Sequence, residues 1–446
     1  MSFADAYLLK AGLRELLIKS DPHPDLKISV TIPVYNESGL ERCLDSLFVS
    51  AGNLDGLGRA EVLILINAPA DAPTEIMEQN YHTHEATRDW IAHHPHPLLD
   101  FHLLMDHSFG KKEAGVGLAR KILMDEAVRR FGALGILQGI IASMDADAVV
   151  EPNYLSALLK HFNTRQRYGQ SDDIGGQLPE GCSIYFEHPL EPSGFEVHEP
   201  EIYDAIAQYE LHLRYYLQSV RYTGYPYAYH TVGSSFAVRA DVYCMEGGMN
   251  RRQGGEDFYF IQKVAQRGWF SECNETCVIP SARPSDRVPF GTGPVVRRLS
   301  KSGEALTTYD PRPFGMLRQL FSDLEVLYTG AEMDKLMDSL PRVLTDFLKT
   351  QQFEDSLLEI RGNSASYPAF RKRFWRWFNT FRIMKFLHFA RERGYPDVTV
   401  GEASMMLLEK IHPDKAEFIA HNSSFNSGRL IKSYLAIFRK FDQPTI

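Results

Sequence analysis

Four short apolar runs, residues 27–34, 61–67, 101–105 and 138–144, are separated by three longer stretches, 38–50, 74–93 and 113–131, whose apolar residues recur at helical spacing. No other feature limits the fold as tightly. Strands joined through helix-length connections cannot pair as hairpins. Each connection must cross over, which gives a mostly parallel sheet with helices packed on both faces. Ligands of such sheets sit outside the carboxyl ends of the strands. Here those ends carry Tyr35-Asn36-Glu37, Asn67-Ala68-Pro69 and Asp145-Ala146-Asp147, so three polar loops are expected to converge on one crevice.

An entry helix is expected over residues 3–19, stopped by Pro22 and Pro24. From about residue 301 the alternation ends and helical patterns continue, broken at Pro341, Pro368, Pro396 and Pro413. A chain of 446 residues is long for one domain. The expected organisation is an N-terminal helix over 1–26, an α/β domain over 27–300 and an all-α domain over 301–446. Residues 166–200, with several Gly, Pro and acidic residues, form the longest irregular region and are expected to supply an active-site loop.

Composition removes several function classes. Apolar residues at 44% and charged residues at 24% describe an ordinary folded protein. A net charge of -9 supplies no field that gathers polyanions, so nucleic acid is not an expected partner and any bound phosphate must be held locally. No apolar stretch approaches the length of a membrane span and no cleavable leader pattern opens the sequence, so the expected location is cytoplasmic. The five cysteines, Cys43, Cys182, Cys244, Cys273 and Cys277, are scattered and odd in number, and read as reduced thiols.

Asp145 and Asp147 follow the fourth strand. If the chain stays extended there, alternate side chains point the same way and both carboxylates reach one site. Oxygen ligands of this kind suit Mg²⁺ or Mn²⁺ bound together with substrate phosphates, and such an ion neutralises a departing diphosphate. A second acidic pair, Glu256-Asp257, follows Gly254-Gly255 and opens a helix. The helix dipole there is expected to keep Asp257 ionised as a general base, and the same pair would also cap the helix.

With these motifs assembled, residues 27–290 resemble family 2 of the glycosyltransferases and its GT-A relatives. The run 28–37, ISVTIPVYNE, is similar to the family's opening strand and nucleotide-binding turn, which implies nucleotide contacts from Pro33, Tyr35 and Glu37, and from Asn67 after the second strand, with Tyr35 against the base. Residues 110–120, ending in Ala119-Arg120, look like the family's Gly-rich segment, and the resemblance gives Arg120 and Asp145 to the nucleotide. Residues 233–239 with Gly247-Gly248 and Glu256-Asp257 are similar to the acceptor-side segment, whose aspartate serves inverting members as base. The implied fold is GT-A, a Rossmann-like α/β sheet flanked by helices, here with a C-terminal all-α domain. The implied activity is metal-dependent transfer of a sugar from a UDP- or GDP-sugar to a hydroxyl of a sugar, a lipid-linked or a small-molecule acceptor. One departure is Asn67-Ala68-Pro69, where the family usually carries an acidic residue that meets the base, so the nucleotide stays open.

Histidine supplies a third metal ligand in some GT-A enzymes, and His230, just ahead of the acceptor segment, is the candidate for that place. Arg283 and Arg287 stand in a dense Arg and Gly loop suited to diphosphate or an acidic acceptor. Five histidines between His82 and His96 are read as a solvated segment rather than a metal site. Residues 370–393 mix aromatic and basic residues and resemble an interfacial helix able to make peripheral membrane contact; the competing reading is a core helix with wet arginines. Two further functions stand beside the inverting transferase: a retaining GT-A synthase of a small glycoside, and a non-catalytic nucleotide-binding module. A sugar-nucleotide pyrophosphorylase is disfavoured because Pro-Val-Tyr-Asn-Glu occupies the place of its triphosphate loop.

Overall fold

The computed structural model describes residues 2–11, 16–110, 114–166, 176–194, 196–252, 254–287, 291–421 and 427–443. Residues 111–113 of the Gly-rich segment, 288–290 of the Arg and Gly loop, and 167–175 with 195 of the long irregular region lie outside these.

Eight strands form one sheet: β1 (Leu26–Val34), β2 (Arg59–Pro69), β3 (Leu99–Phe109), β4 (Ile140–Ser143), β5 (Val149–Val150), β6 (Gly181–Phe186), β7 (Phe236–Arg239) and β8 (Phe270–Ile279). Their order is β3-β2-β1-β4-β7-β6-β8-β5. The stretch β3-β2-β1-β4 is parallel throughout, as crossover connections require. β7 runs antiparallel to both β4 and β6, so the second half of the sheet is mixed. β1 is buried at every position but Lys27, which fits a central strand covered on both faces. Pro33 is tolerated there because the β1–β4 ladder stops at Thr31–Ser143, and a missing N–H beyond it breaks no bond on that side.

The helices among these strands are α1 (Asp5–Ala11), α2 (Leu40–Ala51), α3 (Thr74–His93), α4 (Val116–Leu134), α5 (Tyr154–Asn163), α6 (Pro200–Tyr222), α7 (Ala240–Met245), α8 (Glu256–Ala265) and α9 (Thr292–Ser302). The entry helix is therefore shorter than the apolar pattern suggested. α1 is held by a buried network in which the Tyr7 and Tyr243 hydroxyls both donate to Asp125 Oδ1, at 2.5 and 2.8 Å. This is the layered α/β arrangement, followed by helices, that the sequence predicts.

The chain divides into two units, residues 1–206 with 229–301 and 442–446, and residues 207–228 with 302–441. The first holds the sheet. The second is built from helices around a core that includes Leu217, Phe314, Leu344, Phe374, Trp375 and Phe386. Residues 370–393 belong to that core as two helices, Tyr367–Trp377 and Thr380–Arg391, with the break at Phe378 and Asn379. Phe370, Phe374, Trp375, Phe378, Ile383 and Phe386 are all buried, while Trp377, Phe381 and Phe389 are half-buried. Among the described residues no helix is long and apolar enough to cross a membrane.

Candidate functional site

After β4 the chain turns, the amide of Ala148 donating to the Asp145 carbonyl at 3.1 Å. The expected extended Asp-Ala-Asp is thus corrected, and the turn sends the two carboxylates to different cations. Asp145 Oδ1 accepts from Arg120 Nη2 at 2.7 Å. Asp147 Oδ2 accepts from Arg287 Nη2 at 2.6 Å and Arg283 Nη2 at 3.0 Å.

Arg120 lies in the second turn of α4 and is 2% exposed. A guanidinium is stable at such depth only when carboxylates pair with it. Its second nitrogen, Nη1, donates to Glu256 Oε1, so one side chain joins the end of β4 to the start of α8. Gly255, ahead of α8, has φ 69°, a left-handed conformation that a side chain would strain. Gly233 lets the backbone come against the same cluster: a β-carbon there would stand 2.9 Å from Asp257 Oδ2 and 3.0 Å from Arg120 Nη2.

Asp257 is not held ionised by the helix terminus as expected. Burial first, and then the neighbouring Glu256 charge, push it up to about 7, against the opposing pull of Arg120 and the Phe258 amide. The dipole of a helix end is worth less than the desolvation of a carboxylate beside another acid. Burial also raises Asp145, with Asp147 and Glu256 adding to it and Arg120 opposing. Burial alone would raise Asp147 as well, but Arg287 and Arg283 outweigh it and hold the group below its ordinary value.

On the other side of the arginine pair sits Glu37, whose side chain is fully buried. Its Oε1 accepts from Arg283 Nη1 at 3.1 Å and from the amide of Gly39 at 2.8 Å. Its Oε2 accepts from Arg287 Nη1 at 2.7 Å and from Arg283 Nη2. Arg287 Nη1 also lies 3.4 Å from the carbonyl of Tyr35. The loops after β1, β4 and β8 are therefore bound together by two guanidinium groups between Glu37 and Asp147.

Tyr35 is half-buried, which raises its phenol, and Pro33 and Asn67 are buried at the ends of β1 and β2. The exit from β1 is strained, with Asn36 at φ 49°. Asn80 on α3 supports it. Asn80 Oδ1 accepts from the Asn36 amide at 2.9 Å, while its Nδ2 donates to the Asn67 carbonyl at 3.3 Å. Thr83, one turn on, donates to the Glu37 carbonyl. Glu196 does the same service for the loop after β8, accepting from Ser281 Oγ at 2.6 Å and from the Ala282 amide at 2.9 Å.

Sequence reasoning missed Asn80, Thr83 and Glu196. A signal existed for the first two: the only buried positions of α3 are Asn80, Thr83 and Thr87, a polar stripe at helical spacing on a face that should have been apolar. Glu196 had none, because Ser281 and Ala282, the groups of the β8 loop that it holds, are 85 and 86 residues away.

His230 is not drawn to Asp145 and Asp147. It is buried, with Nε2 at 2.9 Å from Asp442 Oδ2 and its ring edge-on to Phe186. Among the described residues no cluster of three metal-ligating side chains includes it. In the histidine-rich segment His82 and His93 are exposed, while the rings of Trp90, His94 and His96 pack around Phe48. All five cysteines are free.

The site thus gathers five carboxylates, Glu37, Asp145, Asp147, Glu256 and Asp257, around three guanidinium groups. When all are ionised an excess of two negative charges remains. Asp145 Oδ2 and Asp147 Oδ1 accept no hydrogen bond from the described residues, as the remaining oxygens of Asp145 and Asp147 do. Two such carboxylate oxygens fit a hard divalent cation such as Mn²⁺ or Mg²⁺ bound jointly with phosphate.

No protein-family model matches the chain, and no curated protein matches it. Among solved structures it is similar to S. aureus TarS in complex with UDP-GlcNAc, at 12% identity and TM-score 0.37 over 93% of this chain and 91% of that one. It is similar to the mannosyltransferase PcManGT from Pyrobaculum calidifontis in complex with GDP-Man and Mn²⁺, at 14% identity and TM-score 0.36 over 98% and 94%. A third is glucosyl-3-phosphoglycerate synthase from Mycobacterium tuberculosis with Mn²⁺, UDP and phosphoglyceric acid, at 16% identity and TM-score 0.34 over 64% and 84%. At such identities and TM-scores these likenesses carry no argument about chemistry, which rests on the side chains described above.

Proposed function

We propose that the chain is a metal-dependent glycosyltransferase that moves a sugar from a nucleotide diphosphate donor, UDP- or GDP-linked, to an acceptor hydroxyl with inversion. The observation that carries this reading is the Arg120 bridge. One buried guanidinium holds Asp145, on the phosphate side, and Glu256, next to the base candidate Asp257, so the two ends of a transfer reaction belong to one constellation.

Asp145 and Asp147 are the residues that would hold Mn²⁺ or Mg²⁺, which when bound neutralises the charge of the departing diphosphate. Arg283 and Arg287, now occupied by Glu37 and Asp147, are the cations that can turn to phosphate oxygens. Tyr35, at the end of β1, is the residue offered to the base. Asp257 takes the proton of the acceptor hydroxyl at its free oxygen. A carboxylate raised to about 7 suits this task better than an ordinary one, because a base works best with a pKa near the working pH.

The test is Asp257→Asn, with donor binding and transfer measured separately on a panel of UDP- and GDP-sugars. Binding within about twofold of the parent and transfer reduced by roughly 10²–10⁴-fold is the expected outcome. Unimpaired transfer would remove Asp257 as base, and the anomeric configuration of the product decides between inversion and a retaining synthase.

A further inference from the structure

Apart from the crevice, α5 lies against β8. Ser271 and Cys273, two residues apart on β8, share its buried face, and Glu275 follows two residues on. His161, in the last turn of α5, meets that face, its Nε2 standing 2.8 Å from Ser271 Oγ. A ring nitrogen of His161, Cys273 Sγ and a carboxylate oxygen of Glu275 all lie within 4.8 Å of one another. Cys273 Sγ is 3.8 Å from Glu275 Oε2. Bonds of about 2.3 Å to sulfur and about 2.0 Å to nitrogen or oxygen set the ligand atoms of a tetrahedral ion roughly 3.3–3.6 Å apart, so small side-chain rotations close the set. The backbone is already positioned, because Asn153 at the other end of α5 donates Nδ2 to the Glu275 carbonyl at 2.7 Å.

We propose that His161, Cys273 and Glu275 form a second divalent-metal site, of zinc type, that staples α5 to β8. Its chemistry differs from that of Asp145 and Asp147. Thiolate and imidazole select Zn²⁺ over the hard cations that an all-oxygen pair takes. On binding, the Cys273 thiol releases its proton to solvent as the sulfur–metal bond forms, and with anionic Glu275 and a neutral imidazole the ion's two charges are balanced. His161 and Cys273 are buried while Glu275 is exposed, which leaves the fourth position to water. The staple has a structural consequence. β8 runs on through Ile279 into the loop that carries Arg283 and Arg287, so an ion here fixes the strand from which both arginines hang. The proposal does not depend on the glycosyltransferase reading.

The experiment is an optical titration of the metal-free, full-length chain with Co²⁺, followed by displacement with Zn²⁺. A thiolate-to-cobalt charge-transfer band and tetrahedral d–d absorption are expected at one equivalent, unchanged in the Asp145→Asn/Asp147→Asn double variant. Cys273→Ser is expected to abolish the band. Glu275→Gln, an exposed substitution that leaves the fold intact, is expected to weaken Co²⁺ binding by at least about tenfold. No thiolate band in the parent chain, or undiminished Co²⁺ affinity in either variant, would overturn the proposal.

Discussion

Arg120 and Glu256 set the charge that Asp257 feels, and this gives a test at the scale of one side chain. Glu256 raises Asp257 because two adjacent buried carboxylates resist carrying charge together, while Arg120 pulls the other way. Transfer that needs ionised Asp257 rises with pH along an acidic limb centred near 7. In Glu256→Gln the repulsion is gone and Arg120 has one anion fewer to satisfy, so both changes lower Asp257. The limb of kcat/KM against pH is expected to move to lower pH, and a limb that stays in place would show that another group governs it. Much of this cluster was legible in the sequence, since Asp145, Asp147, Arg120, Glu256 and Asp257 stand next to strand ends or helix starts. What was not legible is the partner of each. The turn at Asp145 to Ala148, closed by one backbone hydrogen bond, decides that Asp147 meets arginines from the far end of the domain.

α3 shows the same limit one level up. Its range, Thr74–His93, follows from apolar and charged spacing, and the sequence places it correctly. Its purpose is not in that pattern. The buried positions are Asn80, Thr83 and Thr87, and the first two bind backbone groups of the loops after β1 and β2. Asn80→Ala leaves the Asn36 amide and the Asn67 carbonyl without their partner and is expected to cost about 1–3 kcal/mol of stability. It should also weaken nucleotide binding, because Asn36 at φ 49° loses the bond that helps hold the turn. Urea denaturation and nucleotide titration of this one variant measure both, and a loss of stability with unchanged nucleotide affinity would separate α3 from the site. The antiparallel placement of β7 was equally hidden, since the short run Phe236–Arg239 says nothing of direction.

Over the whole molecule, the helical unit carries a pH dependence of its own. His212 is half-buried in it, with Nδ1 at 2.8 Å from Thr308 Oγ1, and its desolvation pushes the ring down to about 4 against the pull of Asp397. The folded chain therefore refuses a proton that the unfolded chain accepts below about 6.5, and stability is lost as pH falls from that value toward 4. Near pH 5 the loss from this residue is about 2 kcal/mol, and His212→Gln is expected to flatten that part of the stability curve in denaturant titrations at pH 7 and pH 5. The aromatic and basic segment 370–393 illustrates what composition leaves ambiguous at this scale. The same residues suit a membrane interface or a helical core, and only the break at Phe378 and Asn379, with the rings turned inward, assigns them to the core. The central claim is that two carboxylates after β4 bind a divalent cation together with a nucleotide diphosphate. Calorimetric titration of UDP and GDP, with Mn²⁺ and with chelator, into the parent chain and into Asp147→Asn tests it most directly. One of the two nucleotides is predicted to bind only with Mn²⁺ and to lose that binding in the variant; binding that is equal in chelator, or no binding of either nucleotide, would contradict it.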